Sequence, residues 1–160
     1  MLRLSKMADY GTVVMTTLLH APALSRSAAD ISIAIRVPAP TVSKILKMLA
    51  RAGLLVSSRG AKGGYLLSRP ADKISLAEII YAMDGPIGMT ECSVTPGLCA
   101  QETACAVRAN WQRVNQAVLS VLQGITLDQM IAPVVQHTNT APVTLTRMAQ
   151  HAAVASSSTN

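Results

Sequence analysis

Phenylalanine is absent from this 160-residue chain, and aromatic residues make up only 2% of it. Sites that stack sugars or unpaired bases spend aromatic rings on their ligands, so neither kind of platform is expected here. No uninterrupted apolar run approaches the roughly 18 residues of a membrane span. The opening Met1-Leu2-Arg3-Leu4-Ser5-Lys6 reaches Asp9 before any long apolar stretch, which makes it a poor signal peptide. Three cysteines cannot all pair within one chain, and without an export signal they are expected to stay reduced in the cytoplasm. No GK[ST] element, paired carboxylates or nucleophile–base constellation is evident, so an enzyme is not expected.

Half of the residues are apolar, enough for one compact domain or a small domain with an appended element. Charge is unevenly placed. Residues 1–80 hold eleven Lys and Arg against four acids, whereas residues 81–160 hold three against four. A basic half joined to a nearly neutral half suggests one part for a polyanion and another for control or assembly, although a basic face can also be merely solvated.

The first half has the punctuation of a helix-turn-helix. Ser5 is positioned to cap a helix running to His20, with Met7, Tyr10, Val14 and Leu18 at helical spacing. Ser27 opens a second helix, with Asp30 as an imperfect capping-box partner. Arg36-Val37-Pro38-Ala39 forms a turn, and Pro40 begins a third helix that runs to Ala52 and stops at Gly53. In it Val42, Ile45, Leu46 and Leu49 make one buried stripe. Lys44, Lys47 and Arg51 project from nearly the opposite side, with Thr41 and Ser43 at the flanks. Basic outer faces are common on ordinary surface helices. After a short helix and a tight turn, this one also suits the DNA major groove.

Two strand-like segments follow, Leu54–Ser58 and Tyr65–Ser68, joined by Arg59-Gly60-Ala61-Lys62-Gly63-Gly64. The glycines permit a hairpin tip, and Arg59 and Lys62 place two cations on it. Such a hairpin after a recognition-type helix is the wing of a winged helix. It can reach phosphates or a narrow minor groove. A fourth helix opens at Ser75, with Glu78 completing a capping box and Ile74 and Ile79 in the positions of a hydrophobic staple, and it ends at Gly85-Pro86.

The three cysteines, Cys92, Cys99 and Cys105, form a C-x6-C-x5-C array in a stretch whose Pro96 and Gly97 indicate a loop rather than a helix or strand. Clustered thiolates suit a soft metal centre. The spacing lacks the close pairs of a zinc knuckle or a thiol oxidoreductase, while wider spacing fits an iron–sulfur cluster. A fourth ligand is needed, and no fourth cysteine exists. Three unconnected reduced thiols are the plainer alternative.

A long helix is expected from Ala106 to Gly124. Val107, Trp111, Val114, Val118, Val121 and Ile125 alternate four and three residues apart, the seam of a helix pair, so a homodimer is expected. The alternative is packing back onto its own domain. Thr126-Leu127-Asp128-Gln129 resembles the cap of one more short helix. Beyond Pro133 the composition is that of a disordered tail, and His137 and His151 lie in it. The resulting division is a mainly α winged helix-turn-helix domain (1–84), a cysteine-bearing loop (85–105), a dimerisation region (106–132) and a tail (133–160).

The helix-turn-helix, the wing Arg59-Gly60-Ala61-Lys62-Gly63-Gly64-Tyr65, the clustered cysteines and the long helix together resemble the Rrf-two family of bacterial regulators, over about residues 1–130. Ala82-Met83-Asp84-Gly85-Pro86-Ile87, Thr90-Glu91-Cys92 and Trp111-Gln112-Arg113-Val114-Asn115 look most like the subgroup that regulates SUF iron–sulfur assembly genes. The resemblance implies a homodimeric regulator of a palindromic operator, with Cys92, Cys99 and Cys105 ligating a 2Fe–2S or 4Fe–4S cluster. Relatives that use a histidine ligand place it where this chain has Arg108. Nitric-oxide sensors of the family use an aspartate from the partner chain, and Asp9 stands at the matching place; Glu91, Glu102 or an exogenous ligand would also serve. Arg59 matches the family's wing arginine. The holo form is expected to repress cluster-assembly genes. Nitric-oxide or redox sensing on the same scaffold is the alternative, and a metal or thiol redox enzyme is the alternative of another class.

Overall fold

The computed structural model describes residues 4–20, 24–58, 60, 63–95, 97, 99–101 and 103–131. Among these residues six α-helices, α1 (Lys6–Leu19), α2 (Ala28–Ile35), α3 (Ala39–Arg51), α4 (Leu76–Asp84), α5 (Glu91–Val94) and α6 (Arg108–Gly124), frame one hairpin of β1 (Leu55–Ser58) and β2 (Gly64–Leu67). The expected mainly α winged helix is what the chain forms. None of these helices is long and apolar enough to cross a membrane.

Local chemistry sets the helix starts. The Ser5 hydroxyl accepts from the Ala8 N–H at 3.0 Å, satisfying one orphan donor of α1. Both bonds of a capping box form at α2, where Asp30 N–H donates to Ser27 Oγ and Ser27 N–H to Asp30 Oδ2, each at 3.2 Å. Asp30 therefore completes the box that looked imperfect in the sequence. The bonds from the Ser27 hydroxyl and N–H hold the Asp30 carboxyl below its ordinary pKa. At α4, Ser75 and Glu78 form the second box.

The core is built by α1, α3 and α4 around Val14, Met15, Leu18, Val42, Ile45, Leu46, Leu49, Ile74 and Ile79, all essentially inaccessible. Gly11 is where α1 meets α4, since a Cβ there would lie 2.9 Å from Met83 Cγ. The wing is antiparallel with Leu55 opposite Leu67 and Ser57 opposite Tyr65. It gains a third edge, because Arg26 and Tyr65 exchange backbone hydrogen bonds of 3.2 and 2.9 Å. Gly64 makes this approach possible; a Cβ there would sit 2.6 Å from the Arg26 carbonyl oxygen.

Two expectations change. Cys92 lies on the one-turn helix α5 rather than in a loop, because Thr90 turns the chain: its hydroxyl meets Ser93 Oγ at 2.7 Å. The segment after α6 forms consecutive turns, Gln129 to Thr126, Met130 to Leu127 and Ile131 to Asp128, rather than a helix within the described residues. It is also stitched into the first core. Leu76 N–H donates to Ile125 O and Leu127 N–H to Ile74 O, both at 2.8 Å, and the Leu127 side chain is fully buried. The proposed tail, with Pro133, His137 and His151, lies outside the described residues.

Candidate nucleic-acid interface and cysteine segment

Arg36 sets the angle between α2 and α3. It caps α2 in the left-handed region at φ 55°, the one positive φ outside glycine among the described residues. Ser32 braces this turn: its carbonyl accepts from Arg36 and Val37, and its hydroxyl donates to the Val37 carbonyl at 2.7 Å. The Pro38 carbonyl then accepts from Thr41 and Val42 at 2.9 and 3.1 Å, starting α3. No sequence signal marks Arg36 for a position that glycine usually fills, because the requirement comes from the helix crossing.

α3 buries Val42, Ile45, Leu46 and Leu49 and exposes Lys44, Lys47 and Arg51, as its periodicity predicts. Thr41 and Ser43 are half-buried at its flanks. A shallow groove runs along the outer face, lined by Pro40, Ser43, Lys44, Lys47, Met48 and Arg51. The wing stands beside this helix, with the Ser68 hydroxyl donating to the Gly53 carbonyl at 2.6 Å where α3 ends. Its tip turns at Gly60, φ 109°, whose carbonyl accepts from Gly63 N–H at 2.9 Å. Arg59 and Lys62 lie outside the described residues.

Behind the wing, Arg69 pairs with Glu78 and donates from Nε to the Lys73 carbonyl at 2.9 Å. Burial pushes the Glu78 carboxyl upward. The bonds from Ser75 and the Arg69 charge outweigh it and hold the pKa below the ordinary value. This tie fixes the strand exit against the start of α4.

The second region begins at Gly85, whose φ of 82° ends α4. Gly88 then packs so closely on α5 that a Cβ would fall 2.1 Å from Val94 Cγ2. Asn115, the buried polar residue of α6, accepts the Met89 N–H through Oδ1 at 3.1 Å. An open apolar pocket of about 220 Å³ lies between this turn and α6, lined by Ile80, Pro86, Ile87, Met89, Val118 and Leu122. Nothing in the sequence separates Asn115 from the other polar residues of α6.

Cys92, Cys99 and Cys105 are free thiols, all half-buried. Cys92 Sγ lies 3.3 Å from the Thr90 hydroxyl, and Cys99 borders a shallow hollow with Gly97, Ala100, Thr103 and Arg108. The Cys105 carbonyl accepts the Arg108 N–H at 3.3 Å, at the entry to α6. Among the described residues no three Cys, His, Asp or Glu side chains are gathered into a ready metal cage. Asp9 is exposed in the first turn of α1 and Glu91 is exposed on α5; Glu102 lies outside the described residues. The donor chemistry fits a soft metal centre, three unpaired thiols within fourteen residues, and requires the segment to close.

Along α6 the seam is largely uncovered: Trp111 is 40% exposed, Val114 43% and Val121 62%. Of the seam residues Ile125 packs against the protein's own core, as does the neighbouring Leu122, and Val118 is half-buried beside Ile80 and Ile87.

A family model described as Rrf2, iron-dependent transcriptional regulator, matches residues 4–133. The chain belongs to the Rrf2 family. It is the Rrf-two family that the sequence motifs resemble. This Rrf2 chain is 30% identical over 131 residues to the HTH-type transcriptional regulator IscR of Xenorhabdus nematophila, covering 81% of this chain and 79% of that protein. Among solved structures, CymR, the global cysteine regulator of B. subtilis, shares the fold with a TM-score of 0.65 and 29% identity, over 81% of this chain and 96% of that one. T. potens IscR does so with a TM-score of 0.62 and 27% identity, over 81% and 85%. The Rrf2 chain is thus a winged-helix, DNA-binding transcriptional regulator.

Proposed function

We propose that this Rrf2 regulator acts as a homodimer on a palindromic operator, senses iron–sulfur status through Cys92, Cys99 and Cys105, and represses SUF cluster-assembly genes. The observation that carries the reading is the seat of the cysteine segment. It rests on α4 of the reading head through Gly85–Met89 and on α6 through the Asn115 bond. Similarity to IscR proteins supports the iron–sulfur assignment. Thr41, Ser43, Lys44 and Lys47 of α3, with Arg59 and Lys62 of the wing, are the DNA contacts. The exposed Trp111, Val114 and Val121 of the seam meet their copies in the second protomer.

Cys92, Cys99 and Cys105 would hold the cluster, with Asp9 donated by the second protomer as the fourth ligand. The bound group supplies reactivity toward oxidants and nitric oxide and a response to iron supply. The residues do the rest. The three thiols, holding a cluster, would tie this segment together, and the close Gly88–Val94 approach and the Met89–Asn115 bond would link it to the exit of α4 and to α6. The angle between α4 and α6 sets the spacing of the two α3 helices, which must match half-sites about one helical turn apart. A coupling of about 1–3 kcal/mol changes operator affinity roughly 5- to 150-fold.

The test is anaerobic purification with iron and sulfide counts, followed by operator binding before and after cluster removal, alongside Cys92→Ala. The expected result is coloured, iron-bearing protein whose affinity shifts within that range. Equal operator binding by cluster-bearing and Cys92→Ala protein overturns the sensing assignment.

A further inference from the structure

We propose that α3 reads each half-site by two neighbouring contacts of different chemistry: Pro40 packs on a thymine methyl group, and Lys44 donates to guanine O6 and N7. The inference rests on the outer face of α3 being the DNA-facing surface. Along that face Pro40, Lys44, Lys47 and Arg51 recur at i, i+4, i+7 and i+11, all exposed and sharing one groove. The N-terminal residues of a recognition helix are the ones that reach base edges. Pro40 and Lys44 occupy the first two turns, so they meet bases, while Lys47 and Arg51 follow toward the backbone.

The chemistry of the face narrows what it can read. α3 carries no Asn, Gln, Asp or Glu at any of its thirteen positions. Without an amide, the donor–acceptor pair of adenine has no bidentate partner, and without a carboxylate the amino group of cytosine lacks its usual acceptor. Lysine only donates, and guanine is the base whose major-groove edge offers two acceptors. Pro40 presents ring methylenes and no donor, which suits the one apolar feature of that groove, the thymine methyl. Thr41 and Ser43 are left for phosphates. Among the described residues no hydrogen bond holds their hydroxyls, whereas Thr12, Thr16 and Thr17 of α1 donate to the Ala8 and Val13 carbonyls. Four residues of helix rise about 6 Å and a base step about 3.4 Å, so the thymine and the guanine lie within about two base pairs.

The experiment enriches an operator from a randomised duplex library with the full chain, handled anaerobically. Binding at one salt concentration is then measured on duplexes carrying uracil for thymine, 7-deazaguanine for guanine or 7-deazaadenine for adenine, one position at a time. The expected result is one thymine per half-site where uracil weakens binding roughly 3- to 5-fold, the worth of a buried methyl. Within two base pairs, 7-deazaguanine weakens it by at least about 5-fold. 7-Deazaadenine has no effect under α3. Pro40→Ala abolishes the uracil effect and keeps the guanine effect; Lys44→Ala does the reverse. Both sites are on the surface, and circular dichroism melting checks that each variant is folded. An enriched operator indifferent to uracil, or analogue effects unchanged in the variants, overturns this reading while leaving α3 as the DNA surface. Failure to enrich any duplex above bulk DNA overturns α3 as the reading surface, and the inference with it.

Discussion

The reading head and the cysteine segment are built on opposite terms. In the winged-helix head, two helix starts carry a full capping box, the wing strands pair with each other and β2 also bridges to Arg26, and the core side chains are sealed from solvent. Among the described residues from Gly85 to Val107 the regular structure is one turn of helix, the thiols are half-buried, and an open apolar pocket lies between the Gly85–Met89 turn and α6. Close packing resists small displacements, whereas a segment with little regular structure and few buried apolar contacts yields more readily. The contrast matches a division of labour in which one part must present a fixed face and the other must respond.

The comparison breaks most readily at Leu127. If the head includes the chain beyond α6, Leu127→Ala destabilises it by about 2–5 kcal/mol, the usual cost of emptying a buried leucine site. Denaturant unfolding measures this, and a loss near zero would return that segment to the responsive half. Next is Gly64→Ala, which drives a Cβ against the Arg26 backbone. A loss of about 1–3 kcal/mol is expected, together with weaker DNA binding as the wing lifts from its third edge. A wild-type melting curve would mean that the edge is not held.

Glu78→Gln keeps a residue type compatible with the capping box and removes the charge facing Arg69. The folded-state pKa of Glu78 is depressed, so its charge stabilises the fold above the ordinary value of 4.5 and that contribution fades as pH falls through the folded-state value. The pair is a third to a half exposed, so a deficit under about 1 kcal/mol at pH 7 is expected, vanishing in acid. A deficit that persists once the pH lies below the folded-state value, where the carboxyl is protonated in both states, would assign the effect to packing instead. The smallest effect belongs to the other region. Replacing Cys92, Cys99 and Cys105 together by alanine in iron-free protein should move stability by no more than about 0.5 kcal/mol. A larger loss would show that the segment supports the fold after all.

Much of the head is legible in the sequence because its signals are local. The α3 stripe follows from 3.6-residue periodicity, and the Ser75–Glu78 box follows from a spacing of three. The wing is recognisable from glycines between two apolar runs. What escapes is non-local. The left-handed Arg36 answers to the crossing of α2 and α3. The Arg26–Tyr65 edge joins residues 39 apart in the chain, and Leu127 reaches Ile74 across the whole cysteine segment. Of the candidate metal site, the residue types and their order are legible. Their partial burial and the Thr90 turn that puts Cys92 on a helix are not.

By itself the sequence determined which faces are apolar, where helices begin and which side chains bear charge or sulfur, since periodicity and capping act over a few residues. Tertiary structure decided what those faces meet. It closed the wing on the α1–α2 connection, returned the chain after α6 to the core, and left the three thiols half-buried. Such contacts depend on the simultaneous fit of distant surfaces, and no short stretch of chain encodes that fit alone.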